Sequence, residues 1–271
     1  MNRNKQLRLI LLVFGVLAFT GVSGQGLYAK FNAGYGFESG AQSLLSDRTI
    51  TANNDYEETI NVSFGKGFSL NGGIGFNMSD NISLELNVGY LMSGTQMGTF
   101  SDTTRSRERI TELGARVLKV NPTAIFSIPM ESGIQPYVKL GIVTGFGKVI
   151  GTFTNTNNGN VDIDEWHYSG GMSLGINSGF GALYSLSDNM KLFGEMEFTS
   201  LTYAPTKGEL VFSTTNGVDN IPALDVIDKE VIYMDQIDHN VNINVTNPDQ
   251  DVKTKYPFGS VAINVGIRFN F

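Results

Sequence analysis

The sequence closes on Ser260-Val-Ala-Ile-Asn-Val-Gly-Ile-Arg-Phe-Asn-Phe271, in which apolar and polar side chains alternate strictly. A period of two is typical of a β-strand with one apolar and one polar face. The apolar face consists of Val261, Ile263, Val265, Ile267, Phe269 and Phe271. A soluble sheet can show this alternation, but a free terminus ending on two exposed aromatic residues would be unusual there. The pattern favours a strand that faces lipid, with its last aromatic residue at the membrane interface.

The beginning of the chain has the three-part layout of a secretory signal. Residues 1–8 are basic, residues 9–22 are apolar except for Thr20, and small residues follow. The apolar run is shorter than the roughly 20 residues of a spanning helix, which disfavours an uncleaved anchor. We expect a signal peptide over residues 1–24, cleaved between Gly24 and Gln25, and a single domain over residues 25–271.

Composition excludes several classes of function. The 271-residue chain has no cysteine, so disulfides, thiolate nucleophiles, cysteine metal sites and lipoprotein processing are excluded. A net charge of −7 argues against nucleic acid as a partner. Glycine and aromatic residues are abundant, with 32 Gly and 18 Phe, as in a β protein.

Eight stretches show strand periodicity and predict an all-β chain. They are Leu27–Phe37, Phe68–Met78, Ile82–Met92, Leu118–Ile128, Ile134–Ile142, about Trp166–Leu186, Met190–Phe198 and Ser260–Phe271. In the fourth stretch, Pro122 cannot donate a hydrogen bond to a neighbouring strand, so we expect a bulge there.

The connections between these stretches alternate strictly between short and long. The short ones are residues 79–81, 129–133 and 187–189, and the long ones are about 38–61, 93–112, 147–165 and 199–257. All short turns therefore lie at one end. This predicts an eight-stranded antiparallel transmembrane β-barrel in the bacterial outer membrane, with short periplasmic turns and long extracellular loops. Alternation at Leu210/Phe212 and at Val241/Ile243/Val245 predicts a hairpin within the last loop.

With these features the chain resembles the small outer-membrane β-barrel family of the OmpA transmembrane domain and OmpX type. The residues that carry the resemblance are Ile134-Gln-Pro-Tyr-Val-Lys-Leu-Gly141, Leu183-Tyr-Ser-Leu-Ser-Asp-Asn189 and Val265-Gly-Ile-Arg-Phe-Asn-Phe271. The resemblance implies that the barrel-assembly machinery reads the terminal strand through Val265, Ile267, Phe269 and Phe271, and we expect periplasmic chaperones as further partners. OmpA proper continues into a peptidoglycan-binding domain, whereas this chain stops at the barrel, so no wall-binding role is expected.

Strand parity predicts which charged side chains point into the barrel: Lys30, Glu85, Lys119, Lys139, Glu195, Glu197 and Arg268. An eight-stranded barrel is only wide enough to be filled by side chains, and buried charges must pair. We therefore expect an internal network of ion pairs and hydrogen bonds that plugs the lumen. The alternative is a gated ion path through the same network.

Enzymatic function depends on two histidines. His167 lies beside Trp166 at the predicted outer rim, and His239 follows Asp238 in the last loop. An Asp-His pair is able to act as a general base with its orienting group, but adjacent strand residues point to opposite faces. Rim and loop polarity is the simpler interpretation, and we find no hydrolase, zinc-protease or nucleotide-binding spacing.

The last loop is strongly acidic, and a solvated surface is the simplest interpretation. Divalent cations prefer oxygen ligands, so Asp225, Asp228, Asp235 and Asp238 are weak candidates for a cation site. In the second long loop Arg105, Arg107 and Arg109 are candidates to contact lipid phosphates or the acidic loops.

The leading hypothesis is a non-enzymatic barrel with a plugged polar interior, which supports membrane integrity and presents surface loops for adhesion or binding. A narrow channel for ions or small solutes is the first alternative, and an outer-membrane rim enzyme is the second. Expected partners are outer-membrane lipid, lipopolysaccharide and an unknown extracellular ligand. No cofactor is expected.

Overall fold

The computed structural model describes residues 26–130, 133–238 and 244–271, and this part of the chain contains seventeen β-strands. They are β1 (Leu27–Glu38), β2 (Gln42–Ile50), β3 (Asp55–Val62), β4 (Gly67–Asn77), β5 (Ile82–Ser93), β6 (Gln96–Asp102), β7 (Arg107–Ser127), β8 (Ile134–Asn157), β9 (Asn160–Ser169), β10 (Ser173–Ser185), β11 (Met190–Tyr203), β12 (Lys207–Thr215), β13 (Val218–Asp219), β14 (Glu230–Met234), β15 (Asp249–Val252), β16 (Tyr256–Pro257) and β17 (Ser260–Asn270). The predicted signal peptide and its cleavage between Gly24 and Gln25 lie outside the described residues.

Eight of these strands pair in a closed antiparallel ring. The ring order is β1, β4, β5, β7, β8, β10, β11 and β17, with β17 returning to β1. The first and last strands are in register from Tyr28 opposite Asn270 to Glu38 opposite Ser260. Closure leaves no unpaired strand edge around the ring, which hydrocarbon would not tolerate.

The two ends of the ring differ. The short turns and both chain ends of the described barrel lie at one end, here called the turn end, and the long connections lie at the other, the loop end. At the loop end the ring continues into a second sheet with the order β3, β2, β6, β7, β8, β9, β12, β14, β15. Because β7 and β8 belong to both the ring and this loop-end sheet, the sheet is a direct continuation of the barrel wall.

The predicted count of eight strands is too low for the described chain, which has seventeen strands. The other nine are formed by segments that were predicted as loops. The fourth predicted strand begins at Arg107 instead of Leu118, and the fifth continues to Asn157. The reason is that backbone groups beyond the ring still need hydrogen-bond partners, and neighbouring loop segments supply them.

The sixth predicted strand, residues 166–186, is in fact two strands. Gly170 and Gly171 separate β9 from β10, with φ values of +82° and +74°. These left-handed conformations are accessible to glycine and interrupt a strand. As a result β10 stays in the ring between β8 and β11, while β9 turns to pair with β12.

The expected bulge at Pro122 is wrong. Pro122 lies opposite Leu86 in β5, and the register between β5 and β7 is unbroken on both sides of it. The pairing with β8 skips only from Val120 to Thr123 and keeps the same register. A missing donor therefore removes a local hydrogen bond without adding a residue to the strand.

The last long connection is only partly the predicted hairpin. Leu210 and Phe212 lie in β12 as expected, with a register shift between them. However, β12 pairs with β9, β13 and β14, and Val245 belongs to no strand. Val241, Ile243 and His239 lie outside the described residues, as do positions 131–132 of the second short turn.

Helix is scarce in the part of the chain that the structure describes. A single 3-10 turn (Ile221–Ala223) and a four-residue helix, α1 (Val226–Lys229), lie between β13 and β14. No helix in these ranges is long and apolar enough to cross a membrane.

Candidate functional site

The barrel interior changes character along its axis, as the inward-facing side chains of β8 show. From the turn end they are Tyr137, Lys139, Gly141 and Val143. Tyr137 belongs to an apolar cluster, here called the turn-end layer, which consists of Ile125, Tyr137, Leu183 and Phe193. Val143 belongs to a larger one, the loop-end plug, which consists of Val62, Phe64, Leu91, Leu113, Ala115, Val117, Val143, Val149, Leu201, Tyr203 and Phe258. A polar middle layer lies between them.

The strongest electrostatic contact of the middle layer is a triad around Lys139. Its Nζ lies 2.6 Å from Oε1 of Glu195 and 2.5 Å from Oε2 of Glu197. Glu195 also accepts a hydrogen bond from the hydroxyl of Tyr137 at 2.8 Å and one from the amide of Asn264 at 3.2 Å. The side chains of Lys139 and Glu195 are 3% and 1% exposed, so both charges are compensated away from bulk water.

A second group of charges lies on β1, β5 and β17. Lys30 Nζ lies 2.5 Å from Oε2 of Glu85, and the Tyr28 hydroxyl donates to Oε1 of the same carboxylate at 2.8 Å. The Arg268 guanidinium lies 3.4 Å from the centre of the Tyr28 ring and donates to Asn77 at 2.9 Å. Each of these residues lies on a different strand pair of the same wall, so register alone brings them together.

All seven charged residues predicted to point inward are on the inner face, but they are not equally buried. Five of them are at most 7% exposed: Lys30, Glu85, Lys139, Glu195 and Arg268. Lys119 and Glu197 are half-buried, and Lys119 has no ion-pair partner among the residues described. Lys119 instead lines a cavity of about 20 Å³, room for about one water molecule. Asn87 and Asn177 line the same cavity, and their side-chain oxygens accept no hydrogen bond in the described structure.

Sequence reasoning missed one inward charge and both apolar layers. Lys191 has the same parity as Glu195, is half-buried and donates to Gln135 at 3.1 Å. The parity rule was sufficient to find it. The loop-end plug was not accessible in this way, because Phe64 and Phe258 lie in segments without strand periodicity.

These two segments fold back into the mouth of the ring. The amide of Phe64 donates to the carbonyl of Pro257, and the amide of Phe258 donates to that of Leu201. The rings of Phe64 and Phe258 are 5.4 Å apart, and the Tyr203 ring lies edge-on to Phe258 at 6.2 Å. Both phenylalanines are at most 2% exposed.

An aromatic ladder continues the plug onto the loop-end sheet. The ring of Tyr168 stacks on Trp166 at 6.3 Å and on Tyr256 at 6.2 Å, and Tyr233 lies at 6.2 Å from Tyr168. Burial raises the pKa of Tyr168 and of Tyr256 above the ordinary tyrosine range. These hydroxyls therefore stay neutral at physiological pH, as suits a packing role.

His167 faces away from this ladder. Its Nδ1 accepts a hydrogen bond from Lys148 at 3.1 Å, and its Nε2 lies 2.8 Å from a carboxylate oxygen of Glu165. Within the described ranges, these two side chains are the hydrogen-bond partners of the ring, and no hydroxyl or thiol nucleophile is among them.

The acidic candidates of the last loop are dispersed. Asp225 precedes α1 and Asp228 lies within it, while Asp235 lies 3.0 Å from Lys253 Nζ. Among the described residues, Asp238 included, no group of three or more histidine or carboxylate side chains is placed to hold a metal ion.

Arg105, Arg107 and Arg109 lie at the tip of the β6–β7 hairpin. Arg105 lies 3.9 Å from Asp102 of the same hairpin, and Arg109 donates to Asn155 of β8 at 2.7 Å. The contacts are thus local, and they involve neither of the two acidic loops.

Comparison with known proteins gives one family match. A family model described as "Outer membrane protein beta-barrel domain" matches residues 7–220. A search of curated protein sequences finds no match.

Several solved structures are similar to this chain. The crystal structure of neisserial surface protein A has 11% identity and a TM-score of 0.39, covering 91% of this chain and 98% of that one. The N-terminal β-barrel domain of Pseudomonas aeruginosa OprF has 13% identity and a TM-score of 0.36, covering 92% and 100%. Ail, the attachment invasion locus protein of Yersinia pestis, has 11% identity and a TM-score of 0.31, covering 90% and 99%.

Proposed function

The chain belongs to the outer membrane protein β-barrel domain family, and we propose that it is a non-enzymatic barrel with a closed interior. In this proposal it supports the integrity of the bacterial outer membrane and presents its loop-end sheet at the cell surface for adhesion or binding. The turn end then faces the periplasm, as is usual for outer-membrane barrels.

The observation that carries the proposal is the layered interior. The polar middle layer lies between the loop-end plug and the turn-end layer, both of which are buried apolar clusters. The cavity in the middle layer measures about 20 Å³, far less than a continuous pore requires. A ring of eight strands leaves room inside for side chains only, which agrees with this packing.

We expect the folded protein to produce no unitary conductance in planar lipid bilayers at low transmembrane voltage. The physical reason is that an ion would have to cross two dry apolar layers and displace paired buried charges. Stable single-channel steps of uniform size, recorded from protein that is shown to be folded, would support the narrow-channel alternative instead.

The loop-end sheet supports a binding role. Its nine strands form one hydrogen-bonded surface, so the long connections present fixed side chains instead of mobile ones. Binding surfaces are commonly loops that a rigid scaffold positions. Cells that display the protein should adhere to host or abiotic surfaces more than cells displaying a variant without the β2–β3 hairpin. Equal adhesion would remove this hairpin from the proposed surface.

The non-enzymatic part of the proposal rests on the surroundings of His167. Its partners Lys148 and Glu165 complete a polar cluster without an adjacent nucleophile. Any peptide- or lipid-cleaving activity of the purified protein that disappears in His167→Ala would contradict this part.

We expect deletion of Phe271 to reduce the amount of folded barrel in the outer membrane several-fold. The backbone amide of Phe271 donates to the carbonyl of Leu27, and its side chain is 76% exposed. An exposed side chain adds little to the folded state, so the loss should lie in assembly. Outer-membrane fractions measure it, and Asn270→Ala is the control. Normal levels of the truncated protein would show that Phe271 is not an assembly signal.

A further inference from the structure

Three basic side chains form a cross-strand row on the outward face of the barrel at its loop end. Arg116 of β7 lies directly opposite Lys148 of β8, and Lys148 and Lys207 are both register partners of Ser169. Arg116 and Lys207 are exposed, and Lys148 is half-buried. Directly opposed residues share one face of a sheet, so Arg116, Lys148 and Lys207 form what is called here the basic row.

The height of this row follows from the apolar band below it. Leu118 and Phe146 are opposed outward residues, two positions nearer the turn end, and they are 43% and 41% exposed. From Ile128 to Leu118 there are ten residue steps, about 34 Å along the strand. At a tilt of about 40° this gives roughly 25 Å, the height of the apolar band of outer-membrane barrels. The basic row therefore begins where hydrocarbon ends and lipid headgroups start.

The row lacks protein counter-charges at this level. Arg116 and Lys148 are like charges in a directly opposed pair, which destabilises a sheet on its own. Among the residues described, no carboxylate lies within ion-pair distance of the three basic groups. The outward carboxylates Glu209 and Glu112 lie two and four residues farther from the apolar band on their own strands.

The charge is also confined to one half of the barrel. On the other half, the outward residues at the loop ends of their strands are Phe37 on β1, Leu174 on β10, Thr202 on β11 and Val261 on β17. None of them is charged. A general preference for basic residues at the interface would place them all around the ring.

We propose that the basic row binds the phosphate of a phosphorylated glycolipid of the outer leaflet. Arg116 is suited to a bidentate contact, and the two lysines add point charges on either side of Ser169. This role replaces the one expected for the arginines at the β6–β7 tip, because Arg109 lies seven residues, about 23 Å, beyond Arg116 along β7. The inference rests on the membrane placement in the proposed function and not on the closed interior, so a conducting barrel would leave it intact.

The test compares the variant Arg116→Gln/Lys148→Gln/Lys207→Gln with the control Arg105→Gln/Arg107→Gln/Lys255→Gln, which removes the same charge from the exposed loop end. Both are purified as full folded barrels in a neutral detergent, with heat-modifiable gel mobility as the check of folding. Native mass spectrometry then measures binding of bis-phosphorylated diglucosamine lipid and of its dephosphorylated form.

We expect the row variant to bind the phosphorylated lipid at least about tenfold more weakly than the unmodified protein. The control should bind as the unmodified protein does, and the dephosphorylated lipid should bind all three proteins equally weakly. Unchanged binding by the row variant, or an equal loss in the control, would overturn the proposal. Displacement of the lipid by millimolar inorganic phosphate would also overturn it, because the row would then be a site for free phosphate.

Discussion

Replacing Glu195 by alanine is expected to lower the free energy of unfolding by about 3 kcal/mol. Glu195 is the common acceptor for Lys139, Tyr137 and Asn264, and its side chain is 1% exposed. Its removal leaves the Tyr137 hydroxyl and the Asn264 amide buried without their acceptor. Lys139 keeps only Glu197 as a counter-charge, which holds the loss at the lower end of the range for broken buried ion pairs.

Unfolding by denaturant in lipid vesicles measures this loss. The matched control is Glu58→Ala, which removes an exposed carboxylate from β3 and should change stability by less than about 0.5 kcal/mol. The double variant Lys139→Met/Glu195→Leu should be less destabilised than Glu195→Ala, because it removes both charges together. A Glu195→Ala protein as stable as the control would show that the triad is not tightly coupled.

Replacing Phe258 by alanine is expected to cost about 3–5 kcal/mol. The ring is 2% exposed and packs between Phe64 and Tyr203 in the loop-end plug. The neighbouring side chains are attached to the closed ring, which restrains their collapse into the space left behind. The cost therefore includes a cavity as well as the lost apolar burial.

Phe212→Ala is the control for this change, since Phe212 is 47% exposed on the loop-end sheet. It should lose less than about 1 kcal/mol in the same unfolding measurement. Proteolysis gives a second measure, because the segments around Phe64 and Phe258 should become cleavable only when the plug is loosened. Equal effects of the two substitutions would mean that the plug is not a packed core.

Strand parity was readable from the sequence because it is a local property. Successive side chains of a strand point to opposite faces whatever the partner strands are. The alternation in Ser260–Phe271 therefore predicted the lipid face of β17, and the same rule placed Lys139 and Glu195 on the inner face. Membership of the outer-membrane β-barrel family agrees with that reading.

What parity does not determine is the distance between inward side chains on different strands. Lys139 and Glu195 are 56 residues apart in the chain, and the register of β8, β10 and β11 brings them together. Lys119 has the same parity but faces a cavity and has no carboxylate partner in the described residues. Pairing therefore depends on the height of each residue along the barrel axis.

The sequence by itself determined the β class, the lipid-facing and inward-facing sets and the end at which the short turns lie, because each depends on neighbours within a few residues. Only the tertiary structure decided how the long connections fold. The pairing of β9 with β12 and the parallel pairing of β2 with β6 join distant segments. The loop-end plug joins Phe64 to Phe258, and the basic row joins Arg116 to Lys207. Such contacts are set by register and closure of the whole ring, which no local pattern encodes.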